Sequence, residues 1–235
     1  VKRSKRYQGA ATLVDPGTAY SIDQAIAKLK EGATADFDET AEVALTLGIK
    51  ASQVVVRGTC NLPHGTGRSV RILAFAKGES VAEAEAAGAD YVGGEDLAKR
   101  IQGGWFEFDK VVATPDMMPV VGKLGKLLGP RGLMPSPKSG TVAKDIGRVI
   151  EELKKGMIEY RSDRYGVIHT IFGKASFEPE ALKENLIAVI RSIAERRPEE
   201  GVKGRFVKKV TIASTMGPGI PIDLEEVNRL MEGTG

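Results

Sequence analysis

Cysteine is almost missing from these 235 residues, since Cys60 is the only one. An intramolecular disulfide and a cysteine-rich zinc site are thereby excluded, and a reducing cytosol is the expected compartment. Cys60 lies in VVVRGTCN, where a small buried hydrophobe on a strand is expected rather than a nucleophile. Histidine is nearly as scarce: His64 and His169 stand far from any metal-ligand spacing. Aromatic residues make up 6% against 28 glycines, which fits α/β layers with tight turns better than an all-β sandwich. No apolar run approaches the roughly 18 to 20 residues that span a bilayer, and no apolar segment follows the basic N-terminus. A soluble protein with no export signal and no membrane partner is expected. Excess charge is lacking too, at +3 net. Residues 68–156 hold 14 basic and 12 acidic side chains and the remainder 20 and 19, so any nucleic-acid footprint must come from local arrangement.

What is present is concentrated first in Gly122 to Gly140, GKLGKLLGPRGLMPSPKSG. Seven glycines and prolines from Gly125 to Gly140 oppose a long helix or a central strand, so a shaped loop is expected. Lys123, Lys126, Arg131 and Lys138 thread cations through it. Phosphate contact and a solvated helix stop are both open readings. A nucleotide-cradling loop is disfavoured, because Gly122-Lys123 is followed by Leu124 where a hydroxyl must hold magnesium.

Taken in order, Lys2, Arg3, Lys5 and Arg6 form a basic arm or a frayed terminus. Ser21 with Gln24 predicts a capping box for a helix that Gly32 stops. Asp36 to Leu47 alternates, predicting a strand that buries Phe37, Ala41, Val43, Leu45 and Leu47 and presents Asp38, Thr40, Glu42 and Thr46. The presented residues suit ribose hydroxyls and base edges, or are simply the wet side of an antiparallel sheet. A further strand is expected over Val54 to Cys60, ending in a turn that includes His64, Gly65 and Gly67.

The texture then changes. Val70 to Ala76 reads as a strand covered on both faces, Ser80 with Glu83 as a helix start closed at Gly88, and Tyr91-Val92 and Lys110 to Ala113 as strands around a helix at Glu95 to Ile101. Val120, Leu124, Leu127 and Leu128 form one expected helical face, and Ile146, Val149, Ile150 and Leu153 another. This alternation implies a small parallel sheet between helices, closed at Lys154-Lys155-Gly156. Beyond it, Met157 to Arg161 and Val167 to Phe172 predict a hairpin, Pro179 opens a helix striped with Leu182, Leu186, Val189, Ile190 and Ile193, and Phe206 to Ala213 predicts a strand. Thr211 and Lys209 in that strand share a polar face. After it, Ser214-Thr215-Met216-Gly217 offers hydroxyls, a flexible apolar tip and a close-approach glycine.

Together FDETAEVALTLGI, GTCNLPHGTG, AGADYVGG, LLGPRGLMPSPKSGTV, GVIHTIFGKASF and STMGPG resemble the ribosomal large-subunit protein L-one family in its bacterial form, over essentially the whole chain. Cys60 and Asn61 depart from it, standing where an aliphatic and a small residue are usual. The resemblance implies a two-domain α/β protein. Domain I, residues 1–66 and 157–235, would be an α/β sandwich of split β-α-β type; domain II, residues 67–156, would be an inserted Rossmann-like three-layer α/β/α unit, with Gly65, Gly67 and Gly156 at a hinge. It implies a structural constituent of the cytoplasmic ribosome, monomeric when free of RNA and without cofactor or metal. Its partners would be large-subunit ribosomal RNA at the mobile side stalk, the exit-site tRNA whose release it assists, and its own operon messenger, which it would repress. Matching the motifs places RNA contacts on Phe37, Thr40, Glu42, Ser214, Thr215, Met216 and Gly217, with His169 and Thr170 added. Lys123, Lys126, Arg131 and Lys138 would be a secondary RNA or tRNA contact. The rival class, an enzyme with a cleft between two α/β domains, has no complete dinucleotide glycine fingerprint, serine-nucleophile elbow or metal-spaced histidine pair behind it. His64 is expected to be a loop histidine, not a base.

Overall fold

A computed structural model describes residues 3–15, 17–51 and 53–232, so Lys2 of the basic arm lies outside the described residues. The chain divides into two compact units, Val1–Gly67 with Gly156–Gly235, and Arg68–Lys155. In chain order the first unit begins with α1 (Lys5–Ala11), α2 (Ile22–Gly32), β1 (Thr40–Ile49) and β2 (Arg57–Asn61). The second carries β3 (Ile72–Phe75), α3 (Glu79–Ala86), β4 (Tyr91–Gly93), α4 (Glu95–Gln102), β5 (Lys110–Ala113), α5 (Met118–Gly122), α6 (Gly125–Leu128) and α7 (Ile146–Lys155). The first unit resumes with β6 (Met157–Arg161), β7 (Val167–Lys174), α8 (Pro179–Glu195), β8 (Val202–Ser214), β9 (Ile220–Ile222) and α9 (Leu224–Glu232). The chain is thus mixed α/β.

In the first unit an antiparallel sheet has the order β7-β1-β8-β9, and β2 pairs with β6 in a separate ribbon. One sheet face is apolar by alternation. Ala41, Val43, Leu45 and Leu47 of β1 and Val210 and Ile212 of β8 join Ile22, Ile26 and Leu29 of α2 and the α8 stripe Leu182, Leu186, Val189, Ile190 and Ile193 in one core. Each fully buried aliphatic side chain there contributes about 1.5–3 kcal/mol. The α2 start is fixed by the reciprocal capping box, with the Ser21 hydroxyl accepting from the Gln24 amide and the Gln24 side chain accepting from the Ser21 amide.

Two expectations fail here. Phe37 does not join the buried parity of β1, because the strand begins only at Thr40 and Phe37 precedes it, 55% exposed. The expected hairpin of β6 and β7 also divides: the Asp163 carboxylate accepts from the Tyr165 and Val167 amides and closes the turn, but a single bridge, Ser162 to Ile168, is formed before β6 turns to β2 and β7 to β1.

The second unit is a parallel sheet in the order β4-β3-β5, and all four residues of β3 are buried. Leu73, Phe75, Leu97, Ile101, Val111 and Leu124 build its core. Ser80 does not cap α3. The cap lies two residues earlier, at Gly78 with its φ of +65°, a conformation that glycine adopts without steric cost. The expected single face from Val120 to Leu128 is broken into α5 and α6, where Gly122 and Gly125 interrupt it; Leu124 and Leu128 are buried while Leu127 turns outward.

Candidate nucleic-acid interface

The sheet face opposite the first unit's core is where the polar alternation of β1 emerges. Directly opposed residues of an antiparallel pair project to the same side, so register fixes its membership. Glu42 is flanked by Ile171 and Ala213, Ala44 by His169 and Thr211, and Thr46 by Val167 and Lys209. Glu42, His169 and Lys209 are exposed, and the others are half-buried. His169 therefore belongs to the presented face. Thr170 does not: it opposes Val43 on the core side and is only 9% exposed. The strand's period of two removes it from the contact set.

At the rim of this face β1 starts beside the turn that follows β8. The Thr40 amide donates to the Thr215 hydroxyl oxygen at 2.9 Å, and that hydroxyl lies 3.4 Å from the Thr40 carbonyl. Lys174 Nζ donates to the Thr40 hydroxyl at 3.0 Å and to the Asp38 carbonyl at 3.0 Å. Asp38 in turn accepts from the Ser176 amide and hydroxyl. Both threonine oxygens thus accept one bond from the protein, and the Thr215 hydroxyl gives its own proton to the Thr40 carbonyl in a long bond that a closer acceptor can replace. The rim offers hydroxyl donors to acceptors such as ribose, phosphate or base oxygens. The same two segments carry exposed apolar side chains, Phe37 ahead of Thr40 and Met216 after Thr215, the latter 47% exposed. Phe37 also borders a hollow of about 280 Å³ lined by Lys30, Asp38, Glu39 and Ser176.

Ser214 and Gly217 play a different part from the one expected of them. Ser214 is buried, and its hydroxyl donates to Glu39 Oε2 at 2.7 Å, so it has no proton to offer a ligand. The Gly217 amide donates to the Ser214 carbonyl at 3.1 Å, closing a turn over Thr215 and Met216. A Cβ at Gly217 would lie 2.5 Å from the Ser214 hydroxyl, so the glycine is required by packing. Glu39 is the residue that sequence reasoning missed. Its carboxylate is 1% exposed and accepts from the Ala35 amide at 2.9 Å, the Ser214 hydroxyl at 2.7 Å and the Met216 amide at 2.8 Å, with Arg6 at 3.9 Å. Burial pushes its carboxyl up, but those hydrogen bonds and the Arg6 charge outweigh burial and hold it below its ordinary 4.5. The signal was available: Glu39 has the parity of Ala41, Val43 and Leu45, an acid on the core-facing side.

Gly65, Gly67 and Gly156 have φ values of 67°, 70° and 111°. A Cβ at Gly156 would lie 2.4 Å from the Gly65 Cα, so two main chains pass in contact there. Buried Asn185 ties this corner, accepting from the His64 amide and donating to the Gly65 and Phe172 carbonyls. His64 does have a carboxylate partner, Glu184, at 2.6 Å, although the sequence fixes none. The pair is solvent-exposed. Among the described residues no group of three or more histidine, cysteine, aspartate or glutamate side chains is placed to hold a metal.

In the second unit Lys123, Lys126, Arg131 and Lys138 are exposed. The Arg131 guanidinium lies 3.6 Å from the centre of the Phe106 ring. The loop is pinned inside, where buried Ser139 and Thr141 share a hydrogen bond and the Ser136 amide donates to Thr141.

The sequence profile described as the Ribosomal protein L1p/L10e family matches residues 29–218. Three similar proteins bear the name Large ribosomal subunit protein uL1. That of Fervidobacterium nodosum is 54% identical over 235 residues, 99% of this chain and 98% of its own. That of Thermus thermophilus is 54% identical over 225 residues, 94% of this chain and 98% of its own. That of Thermobifida fusca is 51% identical over 226 residues, 95% of each.

Proposed function

This chain belongs to the ribosomal protein L1p/L10e family, and from that premise we propose that the rim formed by Thr40, Thr215, Phe37 and Met216 binds large-subunit ribosomal RNA. The chain is a structural protein of the large subunit of the cytoplasmic ribosome, in a family of ribosomal proteins rather than enzymes. The carrying observation is the pair of threonine hydroxyls, Thr40 half-buried and Thr215 exposed, each accepting one bond from within the protein, in the same two segments as the exposed apolar side chains Phe37 and Met216. Such a surface recognises folded RNA by ribose and backbone oxygens, with Phe37 and Met216 packing on sugars or bases. Glu42 and His169, on the adjoining face, extend it toward base amines and hydroxyls. Gly217 holds the turn, and Ser214 acts from beneath.

The RNA would be the fold of the mobile side stalk, through which the protein would assist exit-site tRNA release. The same rim would repress the chain's own operon messenger wherever that messenger offers the same acceptors, and the two RNAs would then compete. Lys123, Lys126 and Lys138 would be at most a secondary RNA or tRNA contact. Thr215→Val keeps volume and removes both the acceptor of the Thr40 amide and a hydroxyl donor. It should weaken binding to a side-stalk RNA fragment by about 1–3 kcal/mol in a salt-controlled titration. Unchanged affinity would take Thr215 off the interface.

A further inference from the structure

Glu39 is a carboxylate in a place where carboxylates are costly. Its neighbours Asp36, Phe37 and Asp38 are exposed, while its own side chain is 1% exposed. Removing an ionised carboxylate from water is unfavourable unless hydrogen bonds replace the lost hydration. Here they do: Oε1 accepts from the Ala35 amide, and Oε2 accepts two donors, the Ser214 hydroxyl and the Met216 amide. Arg6, projecting from α1, supplies the opposite charge at 3.9 Å and also reaches the Thr34 hydroxyl. One buried group therefore joins three stretches of chain: the segment before β1, the turn after β8, and α1. Nothing so enclosed can touch RNA directly. Whatever it does for binding, it does through the turn.

We propose that Glu39 is the positioning residue of the RNA-binding rim, holding the Ser214–Gly217 turn so that the Thr215 hydroxyl and the Met216 side chain stand outward before RNA arrives. The proposal rests on the RNA reading above. Its chemistry depends on a carboxylate rather than on any side chain of that shape, because all three groups facing the two oxygens are donors. A glutamine must place its amide nitrogen against either the Ala35 amide or the Met216 amide, setting donor against donor. The nitrogen takes the Met216 side, because the other side also faces the Arg6 cation while the Ser214 hydroxyl can rotate to accept; the Met216 amide then opens, in the turn that carries Thr215 and its bond from the Thr40 amide. Preorganisation of this kind raises affinity by removing an ordering cost from the binding step.

The test uses the full chain as wild type, Glu39→Gln, Thr215→Val and the double variant. It reads hydrogen exchange of the Met216 amide in the free proteins and affinity for one side-stalk RNA fragment. Glu39→Gln should speed Met216 exchange at least about 10-fold while amides in β1 and α8 keep their protection, and should weaken RNA binding about 10- to 100-fold. The double variant should lose less than the product of the two single losses, since both act on one turn. A Glu39→Gln protein that exchanges and binds like wild type overturns the proposal, as do fully multiplicative losses. Should Glu39→Gln not fold, Ser214→Ala decides. It leaves the carboxylate charged and removes one donor, so faster Met216 exchange with weaker binding supports the role, and no change in either overturns it. Wild type that fails to bind the fragment is a separate result, which removes the RNA reading and with it the binding role of Glu39.

Discussion

Ser214 and Thr215 are adjacent hydroxyls with opposite orientations, and the strand's alternation separates them. Ser214 ends β8 on the core side and gives its proton to Glu39, whereas Thr215 is exposed and accepts from Thr40. Burial and hydrogen bonding pull on the Glu39 carboxyl in opposite directions, with a net lowering from its ordinary 4.5. A group lowered in the folded state stabilises fully above its unfolded value and loses that stabilisation as pH falls through the folded one. Denaturant titrations at pH 7 and pH 3 should therefore show a larger acid loss for wild type than for Glu39→Gln. Equal losses would mean that the ionised carboxylate contributes nothing. Little of this could be read from DFDET. The alternation marks Glu39 as core-facing, but its partners Ser214 and Met216 lie 175 and 177 residues away in sequence.

At the scale of elements, what was legible followed from local periodicity. The stripe of α8 stands in the structure as read, while of the run read from Val70 to Ala76 the strand is Ile72–Phe75, and of the alternation read from Asp36 to Leu47 the strand takes up only the part from Thr40. The β6–β7 pairing was not legible, because a turn sequence fixes only the first bridge and the further partners of both strands come from distant chain. Nor could the glycine-proline loop disclose that Arg131 stacks on Phe106, 25 residues earlier. That contact changes the loop's role, since one of its cations serves the unit's own packing. Arg131→Ala should cost about 0.5–1 kcal/mol, read from the urea midpoint, as expected of an exposed cation–π pair. It should leave affinity for the side-stalk fragment unaltered. A large loss of affinity with stability intact would move the main RNA contact onto this loop.

For the whole molecule, the question is which unit carries recognition. Every member of the proposed rim, and Glu39 and Arg6 behind it, belongs to the discontinuous unit, and so do the sheet and helices that fix them. That unit has its own apolar core, built from its own residues. The two places where its chain is interrupted are also close: a Cβ on Gly156 would lie 2.4 Å from the Gly65 Cα, and the Leu62 amide reaches the Gly156 carbonyl at 3.5 Å. A few glycines can therefore bridge Gly67 to Gly156, and closing so short a loop adds little entropic cost. Replacing residues 68–155 by such a linker should leave a cooperatively folding protein whose affinity for the side-stalk fragment stays within about 10-fold of the full chain. The salt dependence should remain shallow, because recognition through hydroxyls displaces few counterions. A folded linker protein that binds more than about 100-fold more weakly would show that the inserted unit supplies contacts of its own. A steep salt slope with affinity retained would replace hydroxyl readout by phosphate neutralisation, with the exposed cations of the discontinuous unit as its source.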